Sequence, residues 1–92
     1  MASSVEAFDR LRRWKNSSTV LKLTMLTKDG KPGTSIGGIS ALDEDLFVLA
    51  FMPRGNEPDF WKLGLDGAIF RLGKRKLEAE REGDLLWIEE IN

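Results

Sequence analysis

The acids Asp43-Glu44-Asp45 form the only run of three consecutive carboxylates in the chain. Carboxylate oxygens suit a hard divalent cation. Neighbouring side chains in an ordinary turn point apart, however, so a polar hairpin tip is the simpler reading. Acid–base catalysis by two carboxylates needs them at a set separation with one pKa raised by burial, and nothing in the flanking sequence buries either. The 92 residues contain no His and no Cys. That excludes the usual general base, thiol nucleophiles, thiolate zinc sites and every Ser-His or Cys-His arrangement. Gly67 and Gly73-Lys74 approach a phosphate-binding loop. Five residues separate the glycines where four are needed, and Arg75 stands in place of the metal-binding Ser/Thr. No catalytic residue, metal site or cofactor is expected, and the chain reads as a non-enzyme.

Binding chemistry is better represented. Arg10, Arg12, Arg13, Lys15, Lys28 and Lys31 could contact a phosphate backbone with salt-sensitive affinity, or could be a solvated helix face. Arg71, Lys74, Arg75 and Lys76 make a second cluster, which either grips phosphate or forms a hairpin tip neutralised by Glu78, Glu80 and Glu82. The total of 14 basic and 15 acidic residues, net −1, leans against a dedicated nucleic-acid binder. Its distribution is uneven. Residues 1–37 hold seven Lys/Arg against three Asp/Glu, and residues 38–70 hold two against six. Phe60-Trp61, in a Pro/Gly-rich stretch, could stack on a base or anchor a partner, though packing is the simpler role. Trp14 and Trp87 read as core or subunit contacts.

The elements that position these groups follow from patterning. Residues 4–15 read as an amphipathic helix, with Ser3 and Glu6 as a capping box and Ala7, Leu11 and Trp14 on one side. Glu6–Arg10 and Asp9–Arg13 have the favourable i,i+4 order. Alternation over 19–28 predicts a strand, and Asp29-Gly30 a hairpin. A second strand covers 34–42, where Gly37-Gly38 permits a sharp bend. Residues 46–52 form a continuous apolar strand covered on both faces. Residues 53–67 read as a loop insert. Strands at 68–72, 76–81 and 85–91 follow. For 74–82 a helix competes; a strand is preferred because Glu82-Gly83-Asp84 then turns into the last strand. One domain over 1–92 is expected, with a helix in 1–16 and a mainly β body in 18–92. About five bent antiparallel strands suggest a small closed barrel.

At this point the chain resembles the Sm and Sm-like proteins, which include bacterial Hfq. Asp29-Gly30, Gly37-Gly38-Ile39-Ser40-Ala41-Leu42-Asp43 and Leu46-Phe47-Val48-Leu49 match the first signature in order. Arg81-Glu82-Gly83-Asp84-Leu85-Leu86-Trp87-Ile88 is similar to the second. The resemblance covers about residues 19–52 and 76–91. It implies an N-terminal helix with a bent-strand barrel, ring assembly, and binding of single-stranded RNA. The RNA contacts it implies are Asp43, Phe47, Arg81 and Gly83, with Arg12 and Lys15 of the helix supplying charge. The chain departs from the family in three ways: no Asn follows Asp43, Glu82 separates Arg81 from Gly83, and no His is present.

Ring assembly has a reading in the residues as well. Leu85-Leu86-Trp87-Ile88 is apolar on both faces, and so small a chain would struggle to cover it. An exposed apolar edge is an interface or an aggregation hazard, so Leu85, Trp87 and Ile88, with Leu77 and Ala79, are the expected subunit interface of a cyclic homo-oligomer. The expected function is a non-enzymatic ring with repeated weak sites for single-stranded RNA. The alternative is a structural or protein-interaction ring, of phage or mobile-element origin, with no nucleic-acid role. No apolar leader is seen, and the longest apolar run is seven residues where about 20 span a bilayer. A cytoplasmic location with no membrane role is therefore expected.

Overall fold

The computed structural model describes residues 2–30, 32–54 and 61–91. Helix α1 spans Ser4–Asn16. The Ser3 hydroxyl accepts from the Glu6 amide at 3.2 Å, and Glu6 Oε1 accepts from the Ser3 amide at 3.3 Å, completing the expected capping box. Neither expected i,i+4 pair forms. Glu6 is taken by the cap, and Asp9 pairs with Arg12 instead. Arg10 turns to the carbonyls of Gly73 and Lys76, and its guanidinium lies 5.6 Å from the Trp14 ring centroid. The helix ends where Ser18 takes a positive φ of 52° and the Thr19 amide donates back to the Trp14 carbonyl.

Among the described residues seven strands follow: β1 Leu21–Leu26, β2 Pro32–Asp43, β3 Val48–Pro53, β4 Trp61–Gly64, β5 Ile69–Leu72, β6 Lys76–Arg81 and β7 Asp84–Glu90. They form one antiparallel sheet ordered β4-β3-β2-β1-β7-β6-β5. The molecule is mainly β with an N-terminal helix, as expected, but with seven strands rather than about five. β4 lies in the stretch read as a loop insert. Within 74–82 the chain forms strand β6 and no helix: β6 pairs with β7 from Lys76↔Glu89 to Arg81↔Asp84, through a two-residue turn with positive φ at Glu82 and Gly83. Positive φ at both central positions makes this a type I′ hairpin, whose twist matches its strands.

The expected closed barrel is corrected. β4 and β5 are the two edges of the sheet, yet residues 65–68 join them, so the sheet must curl for the chain to pass between its ends. The curl brings the Arg81 guanidinium 3.2 Å from the Gly64 carbonyl. No strand pairing joins β4 to β5, and that side-chain hydrogen bond spans the seam in its place. The Ala2 amide donates to the Phe70 carbonyl at 2.9 Å, which covers part of the β5 edge.

The premise of an unpaired final strand is corrected as well. β7 lies between β1 and β6, with Leu23↔Ile88 on one side and Leu77↔Ile88 on the other. Both its edges are satisfied within one chain. The apolar stripe of α1, Ala7, Phe8, Leu11 and Trp14, fills the concave side of the sheet against Leu21, Leu23, Leu49, Phe51, Phe70, Leu77 and Ile88. That pairing of helix and sheet buries the inner face of β7, Leu86 and Ile88, without a second copy. Among the described residues no helix is long and apolar enough to cross a membrane.

A hollow of about 50 Å³ remains between residues 63–68 and strands β6 and β7, with Ala79 in its wall. Ala79→Val should fill it and raise stability by about 1 kcal/mol, since β-branched residues also suit a strand. A lowered urea midpoint would show that the site is already full.

On the outer face, Glu78 meets three groups. The Lys76 ammonium, 2.9 Å away, holds its carboxyl below the usual carboxylate range against the opposing effect of desolvation. The Trp87 indole and the Arg71 guanidinium add to the lowering. The ionised form is thus favoured by folding. Its contribution is present above the unfolded pKa of about 4.3 and is lost as pH falls through the depressed folded value. Glu78→Gln should flatten the acid limb of the stability–pH curve and cost under about 1 kcal/mol near neutrality. An unchanged acid limb would contradict the pairing.

Candidate interaction surface

The residues expected to contact RNA are dispersed, and most are engaged. Asp43 Oδ1 accepts from the amides of Asp45 and Leu46, both at 3.0 Å, so its carboxylate shapes its own turn. Among the described residues no three carboxylates converge as a metal site would require. Arg12 is bound to Glu44 and Asp9; the Glu44 hydrogen bond chiefly, with its charge and that of Asp9, holds the guanidinium more firmly protonated. Arg81 donates to Gly64, and Gly83 sits against the Lys28 side chain at the far hairpin tip. Lys15 is exposed in the last turn of the helix. Asp43 and Phe47 line none of the hollows that Arg81 lines.

The five residues expected at a subunit interface divide by the pleat. Leu77, Ala79 and Ile88 point into the core, while Leu85 and Trp87 are half-buried on the outer face. Trp61 is half-buried beside Phe51, with ring centroids 6.5 Å apart, and packs on the core. Phe60 lies outside the described residues.

Phe47 is the expected residue that does gather neighbours. The apolar run beginning at Leu46 was expected to be strand throughout, but β3 begins at Val48 and Leu46-Phe47 lie in the turn. Phe47 adopts a φ of 53°. For a bulky side chain this region costs on the order of 1–3 kcal/mol and persists only where surroundings impose it. Two contacts do so here. The Leu65 amide donates to the Phe47 carbonyl at 2.7 Å, and the Phe47 ring stands edge-on to Phe8 at 5.4 Å. Phe8 in turn meets Phe70 edge-on at 6.3 Å, so three rings from α1, the β2–β3 turn and β5 form one aromatic base.

Two exposed aliphatic side chains share hollows with Phe47, and a third, Leu46, precedes it in the turn. Val5 is 77% exposed, Leu46 67% and Ile69 45%. Val5 and Phe47 share the wall of one open hollow, and Ile69 and Phe47 that of another. Three segments far apart in sequence, the start of α1, the β2–β3 turn and the start of β5, thus build a single surface. Sequence periodicity could not reveal it, because each segment contributes only one or two residues; the one local signal was an apolar pair directly after three acids. Comparison of the chain with family models, with curated proteins and with solved structures finds no match.

Proposed function

We propose that the protein is a non-enzymatic interaction module that holds a partner protein on the surface around Phe47. The observation that carries this reading is the grouping of Val5, Leu46 and Ile69, all exposed, around an aromatic residue kept in a strained backbone conformation. Exposed aliphatic residues scattered singly mean little, but clustered around rigid aromatic rings they have the make-up of an interface core. Strain at Phe47 supports the same reading, since outliers of this kind concentrate at ligand-contacting positions.

A displayed library of random peptides tests it. Sequences enriched on the wild-type protein should lose binding to a Val5→Ser, Leu46→Ser double variant. Both side chains are exposed, so that variant should stay within about 0.5 kcal/mol of wild-type stability in each position. Failure to enrich any sequence, or equal binding to the folded double variant, contradicts the proposal.

Single-stranded RNA binding is the second reading, and one observation favours it. Arg10 bridges α1 to the β5–β6 turn through the carbonyls of Gly73 and Lys76, at 3.1 and 3.4 Å. The two cationic clusters of the sequence therefore flank one another, with Arg13, Lys15 and Lys74 exposed. The N-terminal helix also fits the Sm-like resemblance. Titration of labelled U-rich and A-rich RNA at low and high salt distinguishes the readings: binding here should fall steeply with salt and with Lys15→Glu. No binding at low salt removes the RNA reading.

A further inference from the structure

We propose that the partner segment held around Phe47 is basic and carries two aliphatic anchors, an inference that rests on the interaction-module reading above. Two hollows flank Phe47. One, of about 350 Å³, lies between Ala2 and residues 65–70; the other, of about 200 Å³, lies between the first helical turns and the Phe47 ring. Ser4 and Phe47 border both, so the hollows adjoin across one ridge. Phe70 lines the first and Phe8 the second, so each has an aromatic wall. Open hollows of this size beside exposed aliphatics suit side chains of a neighbouring chain better than an enclosed metabolite.

Charge selects the kind of chain. The segments that build the surface carry Glu6, Asp9, Asp43, Glu44, Asp45 and Asp66. Arg12, in the wall of the second hollow, is already shared between Asp9 and Glu44, and Arg10 faces the opposite flank of the helix. Asp43 Oδ1 accepts from the amides of its own turn. The rim thus has an excess of negative charge, which repels nucleic acid and acidic peptides and steers Lys and Arg toward it. Aliphatic anchors in the hollows would supply most of the affinity, and the charged rim would set orientation and partner choice.

The test uses three fluorescent peptides of four triplet repeats, Lys-Leu-Leu, Gln-Leu-Leu and Glu-Leu-Leu, titrated against the full chain. Anisotropy and backbone amide shifts are read together. The Lys peptide should bind at least about tenfold more tightly than the Gln peptide, shift the amides of Val5, Leu46, Phe47 and Ile69, and weaken with salt. Asp45→Lys with Asp66→Lys should remove the preference without abolishing Gln-peptide binding. Equal affinity of the Lys and Gln peptides at these amides overturns the basic partner and leaves the interaction surface standing. Shifts confined to other surfaces, or tightest binding of the Glu peptide, overturn both.

Discussion

Gly37→Ala should leave the protein unfolded or destabilised by about 4 kcal/mol or more. β2 passes β3 so closely at this point that a methyl group on Gly37 would fall onto the Met52 carbonyl oxygen. It would also lie 2.9 Å from both the Met52 carbonyl carbon and the Pro53 Cα. All are main-chain atoms of the paired strand, and no side-chain rotation relieves them. The ladder itself would have to part where β2 runs on toward the turn that holds Phe47. Gly38→Ala is the matched control. Its methyl would meet nothing nearer than the Thr19 carbonyl oxygen at 3.6 Å, an ordinary contact. It should cost little, since replacing glycine within a strand recovers roughly 0.5–1 kcal/mol of chain entropy. Urea midpoints of the two variants measure the difference directly. Similar midpoints would show that β2 does not cross β3 as closely as described.

Ile88→Ala should cost about 2–5 kcal/mol, the range for truncating a buried aliphatic side chain and leaving a cavity. Ile88 is fully buried, with Leu23 opposite in β1 and Leu77 opposite in β6. The loss should be the same at low and high protein concentration, because every group that buries Ile88 belongs to its own chain. Were Ile88 to lie between copies, mass action would make the apparent stability of the wild type rise with concentration. Unfolding curves at two widely separated concentrations distinguish these cases.

The contrast at Ile88 shows what local sequence carries and what it does not. The capping box at Ser3 and Glu6 and the turn at Glu82-Gly83 were both legible, because each depends on residues within a few positions of one another. The strand at 76–81 was legible against its helical propensity for the same reason: the hairpin that follows fixes it. Strand order was not. Leu85-Leu86-Trp87-Ile88 reads as two-faced and apolar whether its neighbours come from its own chain or from a copy, and only the insertion of β7 between β1 and β6 decides. β4 was missed because its four residues follow a Pro/Gly-rich stretch and are too few to show alternation. The surface around Phe47 escaped for a related reason. Ala2, Phe47 and Ile69 meet only because the curled sheet brings its two edges to the same end of the helix, a long-range consequence that no window of sequence contains.

Everything proposed for Phe47 presupposes a subunit that is complete by itself, with its last strand closed in. Amide hydrogen exchange in dilute solution tests this most directly. Leu86 and Ile88 should exchange among the slowest amides, only through global unfolding, at rates that do not change with protein concentration. Fast exchange of β7 on dilution, with protection returning as the protein is concentrated, would mean that the strand is paired by a neighbouring copy and would contradict the closed subunit.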